Sequence, residues 1–306
     1  MQAMVFSRHC FFLPDIVIWK NCWEVEYEKT ILTLGLSALV IGGCLLNTSC
    51  SSGEYDPLAD GVLTIGLECA YNPFNYTEYT STEYNAPIKG TNGEYAAGYD
   101  ILIAKKLCED LGVRLEVVRC EWDGLIPSLQ SKTIDAVIAG MTATPQRRNS
   151  IDFTDAYYSS QLVIVTKDTE EIRNYTKIED FAGMKFMAQV GTVQADLIDD
   201  LGDSKSESYA GIVACTHSNT YPEAFIALTA GTVDAVVCET PVANDFISLH
   251  KGYRYTVLEG NDDFVVSVNI GVSKKAESSY LEKLNASLGK ISQSEREAMM
   301  TQITTR

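Results

Sequence analysis

Residues 139–148 (AGMTATPQRR) hold the densest set of groups in this chain able to grip an anion. Thr144 is placed to cap a helix, Pro145 to be its first residue and Arg147 to lie in its first turn. A cation there opposes the helix dipole, so the guanidinium must gain something elsewhere. A carboxylate at that helix start would meet free backbone N–H groups, threonine hydroxyls and a two-pronged arginine together. On these residues alone, a surface arginine on a solvated helix is the competing reading. Cysteine and histidine offer less. The nine cysteines contain no C-x-x-C, and the histidines are His9, His217 and His250 only. That spacing predicts no metal centre. Cys108 and Cys238 read instead as small buried hydrophobes.

The elements that must position Arg147 alternate strand and helix. Residues 62–67 read as a buried strand and 75–98 as a polar loop or hairpin insertion. Asp100 reads as the cap of a helix with Ile103, Ala104, Leu107, Cys108 and Leu111 on one face, closed by Gly112. A strand over 115–119, a short helix from Asp123 and a strand over 134–139 follow. The pattern β-α-β-α-β with short connections predicts an α/β fold with a mostly parallel, doubly wound sheet. A second unit repeats it. Strands are expected over 161–166, 184–190, 233–238 and 264–272. Helices are expected after Gly191-Thr192, around Pro222 to Ala230, and over 277–305.

The two units share a segment. Residues 128–138 read SLQSKTIDAVI and residues 227–237 read ALTAGTVDAVV. Each joins the end of an amphipathic helix to a buried strand, while the loops that follow differ. Two similar α/β units with different loops at their strand ends suggest two lobes facing one cleft. The alternative is coincidence between two common helix–strand pieces.

Composition sets the outer limits. At 306 residues there is room for two domains, and 46% hydrophobic with 21% charged residues fits a globular chain. A net charge of −17 repels nucleic acid and anionic lipid headgroups. Residues 31–43 (ILTLGLSALVIGG) are uncharged and mostly apolar. The run is too short to span a membrane but suits a signal-peptide core. It runs into Cys44, and Ile41-Gly42-Gly43-Cys44 resembles a bacterial lipobox, in which the cysteine is lipidated. Residues 1–43 are therefore expected to be a signal peptide with an overcalled start, and 44–60 a lipidated tether. A buried core helix at 31–46 is the competing reading.

Several motifs occur in order: GYDILIAKKLCEDLG, WDGLIPSLQSKTIDAVIAGMTATPQRRNSIDFTDAYY, VGTVQADL and VDAVVCETPVAN. Together they closely resemble the amino-acid-binding proteins of bacterial ABC importers, solute-binding proteins of family 3. The resemblance runs from about residue 62 to about residue 296. It implies a two-lobed type II periplasmic-binding-protein fold, with lobe 1 over 61–160 plus 268–306 and lobe 2 over 161–267. The lobes would be joined by strands near 158–163 and 264–268. It also implies roles at matching positions. Gly140 would offer backbone, Thr142 its hydroxyl and Arg147 the fork for a ligand's α-carboxylate. Thr192 and its helix start would complete that grip from the other lobe. Glu239 would bind the α-ammonium, Tyr71 would cover the ligand, Glu68 would face its side chain, and Trp122 would form the facing wall. Val193 departs from the pattern, which is often hydroxylic there.

The resemblance further implies a monomer that takes a free amino acid, without cofactor or catalysis, and delivers it to a membrane permease and its ATPase. It would be held by its lipid at the extracytoplasmic face of the cell membrane. An acid at position 68 between aromatic walls suits arginine or lysine first, then glutamine or histidine. Two alternatives stay open: a dehydratase-like enzyme on the same fold, and the ligand-sensing domain of a receptor.

Overall fold

The computed structural model describes residues 54–258 and 264–305. The expected signal peptide, Cys44 and most of the tether lie outside the described residues. From residue 55 the stretch expected as tether is already part of the fold. Tyr55 pairs with Ala276, Lys132 lies 4.0 Å over its ring, and Leu58 packs on the core.

The first half opens with β1 (Val62–Leu67), whose residues Leu63, Ile65 and Leu67 are fully buried. A small antiparallel sheet follows: β2 (Ala70–Tyr71), β3 (Asn75–Glu78), β4 (Ala86–Pro87) and β5 (Tyr95–Ala97). The polar 75–98 stretch is therefore the structured insertion. Helix α1 (Tyr99–Leu111) ends on Gly112, whose φ of 69° is the left-handed conformation that glycine adopts without a side-chain clash. Its N-terminal cap is Gly98. Asp100 is not the cap but the second residue of the helix, in its first turn and fully buried. Then come β6 (Arg114–Arg119), α2 (Leu125–Gln130), β7 (Ala136–Val137), α3 (Pro145–Arg148) and the long β8 (Ile151–Lys167).

The second half contains β9 (Lys185–Met187), α4 (Val193–Gly202), β10 (Val213–Ala214), α5 (Tyr221–Ala230), β11 (Ala235–Glu239), α6 (Thr240–Leu249) and β12 (Tyr253–Thr256). The chain returns through β13 (Val265–Ser273) to α7 (Ser278–Leu288) and α8 (Gln293–Thr304). The helical stretch expected over 277–305 is made of two helices. The break is set by Ser292, which caps α8 and exchanges bonds with Glu295 in a capping box.

The main sheet runs β10-β9-β11-β8-β13-β7-β1-β6, with β12 also on β8. β1 pairs in parallel with β6 and β7, and β9 with β10 and β11. β8 and β13 run antiparallel to their neighbours, so the sheet is mixed. β8 belongs to both lobes: residues up to Gln161 pair with β13, and those from Leu162 pair with β11. In lobe 2 both faces of the sheet are covered. Leu162, Ile164, Ala235 and Val237 pack towards α4, while Val163, Val165, Val236 and Cys238 join the core that continues into lobe 1. Burial on both faces explains the unbroken apolar runs of these strands.

The shared segment does the same work in each lobe. Lys132 and Gly231, at matching positions, both adopt positive φ, 63° and 74°. Thr133 N–H then donates to Ser128 O, and Thr232 N–H to Ala227 O. Asp135 donates its N–H to Thr64 O and accepts Thr64 N–H on its carboxylate, at 2.7 and 2.9 Å. Asp234 makes the same pair with Lys185, at 2.8 and 2.9 Å. Each T-x-D thus ends a helix and docks the next strand on its parallel neighbour.

Candidate functional site

Arg147 sits where the capping pattern expected it. Thr144 caps α3 by accepting the Arg147 N–H at 3.1 Å. The guanidinium turns away from its own helix. Nη1 donates to Thr142 O at 2.7 Å and Nη2 to Gly191 O, across in lobe 2, at 2.9 Å. Its Cζ lies 5.1 Å from the Trp122 ring centre, and the Trp122 Nε1–H also donates to Gly191 O, at 3.0 Å. Trp122 therefore braces the arginine as well as lining the cleft. Burial pulls the Arg147 guanidinium below its ordinary value, against the attraction of Asp196.

From lobe 2, Thr192 caps α4. Its hydroxyl accepts from Ala195 N–H at 3.2 Å and donates to Gln189 O at 2.7 Å. The hydroxyl is committed to the helix, which leaves the backbone of this turn as the part able to meet an anion. Glu239 ends β11 and is 2% exposed. The Tyr71 hydroxyl donates to its Oε2. Burial pushes the Glu239 carboxyl up to about 8. Glu68 follows β1 and is also buried; it accepts from Gln189 Nε2 of lobe 2 at 2.6 Å. Burial pushes it to about 7, with Glu121 and Asp123 adding to the rise and the Gln189 bond opposing it.

Tyr71 lies in an aromatic column, stacked on Phe74 at 5.3 Å and on Tyr221 of lobe 2 at 4.8 Å. Gly140 has a φ of 63°, and a Cβ there would come within 3.0 Å of the Tyr71 ring. Its N–H donates to the Tyr157 hydroxyl at 3.0 Å, so this backbone donor is occupied.

The eight positions at which the resemblance implies ligand contact line one cavity: Glu68, Tyr71, Trp122, Gly140, Thr142, Arg147, Thr192 and Glu239. Gln189, Val193, Gln194 and Tyr221 complete the lining. Gln189 and Tyr221 were not foreseen. The only signals for them are a glutamine just before the Val190-Gly191-Thr192 turn and a tyrosine at the start of a Pro-marked helix. The space is small, about 290 Å³ counting what is open at its mouth. Chemically it offers one guanidinium and two carboxyls, walled by aromatic rings. Among the described residues, no cluster of histidine, cysteine and acids could hold a metal ion.

Residues 63–303 match the family described as bacterial extracellular solute-binding proteins, family 3. The chain belongs to that family. Among its relatives in this family, the L-arginine-binding protein of Pseudomonas aeruginosa is 30% identical over 234 residues, covering 75% of this chain and 82% of that one. The ABC transporter arginine-binding protein 1 of Escherichia coli is 30% identical over 232 residues, covering 75% and 84%. A solved amino-acid ABC transporter substrate-binding protein from Streptococcus pneumoniae, bound to L-arginine, superposes with a TM-score of 0.65. It shares 25% identity and covers 80% of this chain and 95% of that chain. The mixed two-lobed α/β architecture is that of these type II binding proteins.

Proposed function

We propose that this solute-binding protein captures a free amino acid with a cationic side chain, arginine foremost, and hands it to the permease of an ABC importer. One observation carries the reading: a guanidinium and two buried carboxyls from both lobes converge on one small cavity. A zwitterion would set its carboxylate on Arg147, Thr142 and the α4 turn, and its ammonium on Glu239. Glu68 would then remain as a buried acid without a cation. An ionised group in that position is costly, and a cationic side chain in the ligand supplies the missing charge. Lysine serves the same balance. Glutamine or histidine would meet Glu68 in its protonated form.

Both lobes contribute contacts, so the full grip exists only in the closed cleft, and ligand shifts the opening equilibrium by its preference for that form. The rest of the proposal is a monomer, tethered through a lipidated Cys44 at the extracytoplasmic face. Catalysis is the reading set aside. A dehydratase needs a proton donor aimed at its substrate, whereas here both cavity acids, Glu68 and Glu239, are taken up in pairing the ligand's two cations. The test is a thermal-shift screen of the purified protein with the twenty amino acids. A ligand at a hundredfold excess over its Kd adds about 2.7 kcal/mol. Arginine and lysine are expected to lead. A screen led by glutamate, aspartate or leucine would overturn the assignment of Glu68, and turnover of prephenate or arogenate would overturn the binding role.

A further inference from the structure

Asp100 is fully buried in lobe 1 and does not line the cavity. Its Oδ1 accepts the Tyr157 hydroxyl at 2.7 Å, and its Oδ2 accepts Asn75 Nδ2 at 2.8 Å. Each partner is engaged on its other side by backbone next to the cavity. The Tyr157 oxygen accepts Gly140 N–H at 3.0 Å, and Asn75 Oδ1 accepts Cys69 N–H at 2.9 Å. One carboxyl thus stands in the middle of a chain of four hydrogen bonds. At one end is Gly140, packed on the Tyr71 ring. At the other is Cys69, between Glu68 and the strand bearing Tyr71, with a φ of 59° that is uncommon for a residue with a side chain.

The direction of every link is determined. Asn75 must show its oxygen to Cys69 N–H, so its amide nitrogen faces position 100. Tyr157 has one proton, and its oxygen already receives Gly140 N–H, so that proton also points at position 100. Position 100 must accept on both sides. An ionised carboxylate does so with its two oxygens, while an asparagine presents a donor on one side.

We infer that Asp100 is a positioning residue of the ligand site, setting through Tyr157 and Asn75 the two backbone segments that present Gly140, Glu68 and Tyr71. This rests on the amino-acid-capture reading, and the experiment separates the two. Arginine affinity is measured by calorimetry well below each variant's melting temperature, beside amide hydrogen exchange at Cys69 and Gly140, which needs no ligand. Asp100→Asn sets one buried donor against another, which lowers stability; because the segments carrying Gly140, Glu68 and Tyr71 then lose their fixed places, it is also expected to weaken arginine by about tenfold, roughly 1.4 kcal/mol, and to speed exchange at both amides. The double variant Asp100→Asn with Asn75→Asp restores a donor and an acceptor to every link. It is expected to regain most of the affinity and the slow exchange. Tyr157→Phe keeps the packing, and should speed exchange at Gly140 but not at Cys69 while lowering affinity. A residue that served stability alone would lower the melting temperature, leave Kd as in the wild type and speed exchange across the core alike rather than at Cys69 and Gly140 in particular; that result overturns the inference, as does a folded double variant no better than the single. If the wild type binds no amino acid, the capture reading fails, and the exchange pattern still decides whether Asp100 holds the two segments.

Discussion

Removing the Arg147 guanidinium is the sharpest perturbation of the site. It is the one cationic side chain among the residues lining the cavity, which otherwise brings the carboxyls of Glu68 and Glu239 together. Without it a ligand carboxylate enters a half-buried, net negative space. Truncating one partner of such a charge pair costs about 2–5 kcal/mol, which is about thirtyfold to several-thousandfold in Kd. The Arg147→Ala variant also loses the bond to Gly191 O, one of the links between lobes, which moves the expected value toward the upper part of that range. Arg147→Lys restores a charge but not the planar fork that reaches Thr142 O and Gly191 O together. Losing one charged hydrogen bond of about 1.5–3 kcal/mol places it about tenfold to a hundredfold below wild type. The assay is calorimetric titration with arginine, with circular dichroism to show that each variant is folded. Agmatine, arginine without its carboxylate, is the control: it should bind wild type and Arg147→Ala with similar, weak affinity. Near wild-type arginine affinity in Arg147→Ala would refute the carboxylate assignment.

Four other outcomes are expected. The Glu68 and Glu239 carboxyls sit at about 7 and about 8, against an ordinary 4.5. Between those values the folded chain keeps protons that the unfolded chain has lost, so raising the pH lowers the stability of the unliganded protein. Arginine needs both acids ionised, so its thermal shift should grow from pH 5.5 to pH 8; a flat or falling shift contradicts the pairing. Glu68→Gln should correspondingly weaken arginine much more than glutamine. Tyr71→Phe frees Glu239 from the hydroxyl that competes with a ligand ammonium while keeping the stack on Tyr221. Affinity should hold or rise, and a loss beyond about tenfold, the worth of roughly 1.4 kcal/mol, would show that the hydroxyl itself grips the ligand. Cys44→Ser should release the protein from the membrane fraction, since anchoring of this kind depends on the acyl chains; an unmodified Cys44 in the intact mass of native protein counts against lipidation.

Much of this was legible because local rules and global fold agree. The Thr144-Pro145 start, the glycine ends at Gly112 and Gly231 and the two T-x-D segments each follow from short-range chemistry, and the fold uses them unchanged. Asp100 was misread because a polar residue ahead of an apolar helix looks the same whether it caps the helix or is buried against distant partners. Its partners Asn75 and Tyr157 are 25 and 57 residues away. The small sheet of residues 70–97 was legible only as a polar loop or hairpin insertion, because strands of two to four residues carry no period. Gln189 and Tyr221 reach the cavity through the closure of the lobes, a relation between elements that no local pattern encodes.

The path of β8 and β13 also governs the order in which this molecule can assemble. Lobe 2 leaves through one of these strands and returns through the other, with Val265 opposite Gln161. It is a contiguous stretch, whereas lobe 1 is built from both ends of the chain. Joining β13 to β8 across an unfolded intervening segment of roughly a hundred residues costs about 4 kcal/mol in loop closure. A lobe 2 that has already folded brings its own two ends side by side and removes most of that cost. The lobe that comes second in sequence is therefore the one suited to fold first. The leading half of the chain is completed only by a strand that is made after the whole of lobe 2.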